Sequence, residues 1–186
     1  MIVFVNGPFG VGKSTTVRLL AADLPEALVL DPERVGHMLW SQLPDGLRQE
    51  EFELEPVWPA LTRCLLEEAA AAYQRTLLVP MTIARPEVFA QIVGSLQGKG
   101  HDVRHFTLLA DAVTIRQRLR ERGEGPDKWG ELSWEGLQVE RCLASLADPL
   151  FAAHVHTGHR ATREIADEIL DATGLRPRPG NGAVQV

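Results

Sequence analysis

"MIVFVNGPFGVGKST", residues 1–15, joins an apolar run to a glycine-rich turn, and its reading decides the fold. The spacing Gly7-x-x-x-x-Gly12-Lys13-Ser14 is the pattern in which glycines let successive backbone N–H groups curl around a phosphate. Gly7, Gly10 and Gly12 lack the Cβ that would hold the chain off the anion, and Val11 lies within the same turn. The following "STTVRLLAADL" reads as a helix whose first N–H groups point at the same charge. Lys13 is expected at the β and γ phosphates, Ser14 at Mg²⁺ and Thr15 at the α phosphate. Strand, loop and helix in that order predict a bound nucleoside triphosphate.

Working outward, 186 residues are enough for one domain with a sizeable core, here expected over 1–175, with the Pro/Gly-rich "RPRPGNGAVQV" of 176–186 as a flexible tail. A net charge of −6 leaves no electrostatic footprint for nucleic acid or an anionic membrane. No apolar run reaches bilayer length, so no transmembrane segment is expected. The first strand begins at once, without a basic leader or a cleavage site, and a cytoplasmic protein is expected. Cys64 and Cys142 lack metal-ligand spacing and read as reduced, largely buried thiols.

Short apolar runs alternate with helical patterns along the chain. This alternation predicts an α/β fold with a parallel sheet flanked by helices on both faces. Strands are expected at 1–6, 27–30, 76–79, 103–110 and 153–156. Helices are expected from Gly12 to about Leu24, from Glu33 to Trp40, and over 56–74, where Leu61, Leu65, Ala69 and Ala72 form the inward stripe. Pro86 opens another, with Val88, Phe89, Ile92, Val93 and Leu96 facing inward. Asp111 caps the helix that runs to about Arg122, and Thr162 the last one, which Gly174 ends.

Ligands of an open parallel sheet gather at the carboxyl ends of its strands. Asp31, just past the second strand, is the best placed carboxylate, as the base for an acceptor hydroxyl or a partner of Mg²⁺ through water; "DPER" equally makes it a helix N-cap. Arg34, Trp40, Trp58 and Thr82 are the candidates for the acceptor side, and the acidic stretch from Ser41 to Pro56 is expected to border it. Past the third strand, "PMTI" lacks the carboxylate that often helps hold the metal in nucleotide-binding folds. Of the arginines at 116, 118, 120 and 122, Arg118 and Arg122 share a helix face and are expected to grip phosphate from a mobile lid over about 116–135. Arg141, beyond the lid, is a further candidate for the γ phosphate. His154 and His156 share a strand face near His159, and that pattern reads as structure rather than as a metal site.

Taken together, "NGPFGVGKS", "LDPERVG" at 30–36, "LLVPMTI" at 77–83, "RHFTLLA" at 104–110, "RLRER" at 118–122 and "ERC" at 140–142 resemble the small P-loop kinases of the nucleoside-kinase and chloramphenicol-phosphotransferase type. More closely, they resemble the ATP-binding tunicamycin-resistance protein family. The resemblance extends over most of residues 1–172 and implies a five-stranded parallel P-loop core. It also implies ATP on Gly7–Thr15, an acid–base role for Asp31 and lid arginines at Arg118 and Arg122. The activity implied is ATP-dependent phosphoryl transfer to a hydroxyl of tunicamycin or a related nucleoside-like molecule. Two alternatives stand beside it: sequestration of the drug without chemistry, and a kinase of an unrelated small metabolite.

Overall fold

The computed structural model describes residues 1–122 and 134–176, with side chains for 1–121 and 136–176. Five strands, β1 (Ile2–Asn6), β2 (Leu28–Val29), β3 (Leu77–Met81), β4 (Val103–Leu109) and β5 (His154–His156), form one parallel sheet in the order β2-β3-β1-β4-β5. β1 lies at its centre, with Asn6 in register with Met81 on one side and Thr107 on the other. Every residue of β1 and β3 is buried, as strands covered on both faces require.

The helices are α1 (Lys13–Asp23), α2 (Pro32–Gln42), α3 (Trp58–Tyr73), α4 (Pro86–Phe89), α5 (Ser95–Gly98), α6 (Ala112–Arg122), α7 (Trp134–Leu146) and α8 (Thr162–Thr173). A π turn, Ala90–Gly94, makes α4 and α5 one continuous rod. Alternation along β1 divides the core into two layers. Ile2 and Phe4 pack with Trp58, Leu66, Ile92 and Leu96, while Val3 and Val5 pack with Val17, Leu20, Ile165 and Ile169.

The five strands fall where the apolar runs predict them, although β2 shortens to two residues. Val88, Phe89, Ile92, Val93 and Leu96 are all buried, and the Asp111 carboxylate accepts from the Thr114 N–H at 2.8 Å, as a cap should. Three expectations need correction. In α3 the buried stripe is Trp58, Thr62, Leu66 and Ala69, while Leu61, Leu65 and Ala72 are exposed. Two stripes of equal period compete there, one residue apart, and burying the Trp58 ring selects the one that the polar Thr62 disguises. Cys64 is exposed for the same reason. At α8 the cap position is Ala161, whose N–H donates to Glu164 at 2.8 Å, so Thr162 is the first helical residue.

Candidate functional site

At the carboxyl end of β1 the chain turns through Gly7, Gly10 and Gly12 with φ of 143°, 78° and 112°. Gly7 is obligatory on two counts: its φ lies in the region L side chains avoid, and a Cβ there would sit 2.6 Å from the Leu108 carbonyl oxygen. Gly12 precedes α1 with no side-chain cap, so the positive end of that helix meets the loop without a capping side chain. Lys13 folds back into the loop, where Nζ donates to the carbonyls of Gly7 (2.8 Å) and Pro8 (3.0 Å) above the Phe9 ring. Ser14 and Thr15 are exposed on the first turn. Tight turns at Gly7 and Gly10, an uncapped helix start and an ammonium folded into the loop fit a triphosphate, with the Ser14 hydroxyl fitting Mg²⁺.

Two residues hold this loop against the sheet. Asn6, fully buried, accepts through Oδ1 from the N–H of Gly7 (2.8 Å) and of Ile83 (2.9 Å), and donates through Nδ2 to the Ile83 carbonyl (2.9 Å). Thr82 donates its hydroxyl to the Gly7 carbonyl at 3.1 Å. The ends of β1 and β3 are thereby tied by polar bonds in a site that excludes water, where an unpaired group would be costly. Asn6 carries no motif signal of its own in the sequence.

A cavity of about 1100 Å³ opens over the loop. Gly10 to Thr16 and Arg118 line one end, and Glu33, His37, Trp40, Glu50, Glu51, Phe52 and Glu53 the other, with Thr82 and Arg141 between. The far end is assembled from α2 and the segment after it. Asp31 caps α2 by accepting from the Glu33 N–H at 3.0 Å, with Pro32 in the first turn. Phe52, in a 3₁₀ turn (Phe52–Leu54), lies flat on Gly36 of α2, where any Cβ would meet its ring at 2.4 Å. Its centroid stands 4.2 Å from that of Trp40. The buried Glu55 carboxylate closes the segment by accepting from Trp40 Nε1 (2.6 Å) and from the Gln49 N–H (2.8 Å).

The wall carboxylates differ in what they are committed to. Glu51 pairs with Arg141 at 2.7 Å and with Arg85 at 3.8 Å. Glu53 Oε1 accepts from the N–H groups of Ala84 (2.9 Å) and Arg85 (3.0 Å), just past β3. Burial raises the Glu53 carboxyl to about 7, outweighing the two backbone hydrogen bonds, which pull the other way. Beside them, burial also pushes the Cys142 thiol up.

Against the sequence-derived candidates, the structure brings Gly10, Val11, Gly12, Lys13, Ser14, Thr15, Trp40, Thr82, Arg118 and Arg141 to one cavity. Arg118 is held there by donating to the carbonyls of Val11 (3.2 Å) and Gly158 (2.7 Å) and to the Thr157 hydroxyl (3.0 Å). Arg116, on the other face of α6, pairs with Glu140. Asp31 does not line the cavity; its carboxylate serves the α2 cap, with Arg34 3.9 Å away and that arginine's side chain 88% exposed. Trp58 lies in the core and donates to the Pro32 carbonyl at 3.0 Å. The Arg122 side chain and most of the expected lid, 123–133, lie outside the described residues. Glu51 and Glu53 line the site with no motif of their own, within the acidic stretch from Ser41 to Pro56, and Glu33 stands in "LDPERVG" without having been singled out.

This arrangement has close counterparts. A family model described as an AAA domain matches residues 2–149. No curated protein matches the chain. Among solved structures, the Deinococcus radiodurans tunicamycin resistance protein is 30% identical, with a TM-score of 0.79 over 96% of this chain and 98% of that one. A Sinorhizobium meliloti gluconokinase (14% identity, TM-score 0.62, 92% and 90% covered) and a Bacteroides thetaiotaomicron shikimate kinase (16%, 0.55, 94% and 99%) share the fold. Among the described residues no helix is long and apolar enough to cross a membrane. With the phosphate loop at the head of a β2-β3-β1-β4-β5 sheet and a relative this similar over nearly its whole length, the chain belongs to the tunicamycin-resistance protein family, within the P-loop, kinase-like nucleotide-binding proteins.

Proposed function

We propose that the protein is an ATP-dependent phosphotransferase that moves the γ-phosphoryl group to a hydroxyl of tunicamycin or a related nucleoside-like molecule. The observation that carries this reading is the single cavity that joins the phosphate loop to an acidic, aromatic wall. One end offers what a triphosphate needs and the other what a hydroxylated, ring-bearing acceptor needs, which would bring the two substrates together in one cavity. The likeness to a protein described as conferring tunicamycin resistance supports the acceptor.

In this reading the N–H groups of Gly7 to Thr15 cradle the phosphates, and Lys13 exchanges its carbonyl partners for phosphate oxygens. Ser14 would hold Mg²⁺, which supplies charge neutralisation on the transferred group. Arg118, fixed by backbone carbonyls, and Arg141, across the cavity, add positive charge where negative charge develops, joined by Arg122. Trp40 and Phe52 stack the acceptor's base or sugar rings, and Thr82 keeps the loop in register with β3. Asp31 acts through the helix it caps, and Trp58 is the floor beneath that helix.

The test is incubation of the protein with Mg²⁺, γ-labelled ATP and tunicamycin, followed by mass analysis of the drug. A mono-phosphorylated product supports the reading. Drug binding without product after long incubation would replace it with sequestration, and product only from other alcohols would replace the acceptor.

A further inference from the structure

Deepening that phosphotransferase reading, and resting on it, we propose that Glu53 is the group that takes the proton of the acceptor hydroxyl. The chain carries no acid in "PMTI" after β3, and the carboxylate found at that strand end comes from elsewhere in the chain. Between α2 and α3 a 3₁₀ turn lays Glu53 across the end of β3, where Ala84 and Arg85 anchor Oε1 with two N–H groups. Both bonds end on one oxygen, which leaves Oε2 for a proton. The same carboxylate lines the cavity that holds Lys13 and Ser14.

Of the neighbouring acids, Glu51 pairs with Arg141 and Arg85, Glu55 binds Trp40 and Gln49, and Asp31 caps α2 without lining the cavity, while Glu33 and Glu50 line it beside Glu53. A base must be ionised to receive the proton and neutral enough to release it afterwards, so a carboxyl whose pKa lies near the working pH suits the task. Facing Glu53 are Arg85 from the β3 loop, Glu51 from its own segment, and Arg141 and Cys142 from α7. In the step itself the acceptor O–H bond breaks as its oxygen bonds to the γ phosphorus, and the proton passes to Glu53 Oε2. The bond from γ phosphorus to the bridging oxygen breaks, ADP leaves with that electron pair, and Glu53 returns the proton to water.

Glu53→Gln separates this role from that of a latch, because the amide oxygen still accepts from Ala84 and Arg85. Expected is a fall in kcat of roughly 10²–10⁴-fold. Acceptor KM and the Kd for a non-hydrolysable ATP analogue should stay within about twofold, and the acidic limb of the wild-type kcat–pH profile should disappear. Carbon NMR of glutamate-labelled wild type should show a carboxyl titrating near neutrality that is missing from the variant. Wild-type turnover in Glu53→Gln, a retained acidic limb, or the same losses in Glu33→Gln instead would overturn the proposal. So would a wild-type Glu53 resonance titrating below about pH 5, a result that needs no variant to fold. A wild type that phosphorylates no hydroxylated acceptor while still binding the ATP analogue removes the phosphotransferase reading itself, and this assignment with it.

Discussion

The two ends of the cavity are built on different plans. The phosphate end comes from nine consecutive residues, Gly7 to Thr15, and works mainly through backbone N–H groups, one ammonium and the start of one helix. The opposite end, where the proposed acceptor would sit, comes from α2, a 3₁₀ turn some ten residues beyond it, the loop after β3 and α7, and is walled by side chains. The first needs only local backbone geometry on a strand end. The second exists only once Trp58, Phe52 and Gly36 have packed, so its chemistry depends on the core beneath it.

The largest effect expected from this contrast is on stability. Trp58→Ala removes a fully buried ring and its bond to Pro32, and should cost about 3–5 kcal/mol in denaturant unfolding. In the fraction that remains folded, acceptor binding should be lost before ATP-analogue binding. Equal loss of both would mean that the two ends are one packing unit.

Lys13→Ala strikes the phosphate end and should lower turnover by roughly 10²–10³-fold, comparable to losing one donor of a preorganised anion site. Its unfolding midpoint should move far less than that of the Trp58 variant. A large drop in stability would show that the bonds to Gly7 and Pro8 hold the loop together without nucleotide.

Asp31 sharpens the comparison, since it belongs to the acceptor end only through the helix it caps. Asp31→Ala should cost about 1 kcal/mol, and Asp31→Asn, itself a good cap, should keep both stability and turnover. Strong loss of turnover in the Asn variant with unchanged unfolding would return the base role to Asp31.

A further effect lies outside the cavity. His105 packs edge-on against Phe89, and burial lowers it to about 4 from the usual 6.5. A folded-state pKa below the unfolded one means that the unfolded chain binds the extra proton first. Stability is therefore fully present above about pH 6.5 and declines as pH falls towards 4. His105→Phe should flatten that decline in thermal unfolding scans over this window, and an unchanged slope would place the acid sensitivity elsewhere.

The sequence by itself determined the five strands, the buried face of the 86–98 rod, and the glycine-rich loop that sets Lys13, Ser14 and Thr15 at the start of α1. Each is written in a short window, where periodicity and backbone freedom act locally. The inward face of α3 was not legible, because two stripes of equal period lie one residue apart and only the seating of Trp58 chooses between them. Nor was the wall. Asp31 has the right address after a strand, yet its carboxylate turns to the helix it caps, while Glu53 reaches the end of β3 from 31 residues earlier in the chain. Asn6, tied to Ile83 across 77 residues, is likewise invisible without the neighbouring strand. Motifs report what backbone and neighbours can do within one turn. Which carboxylate meets a distant loop is decided by packing, since desolvation and pairing act through space and not along the chain.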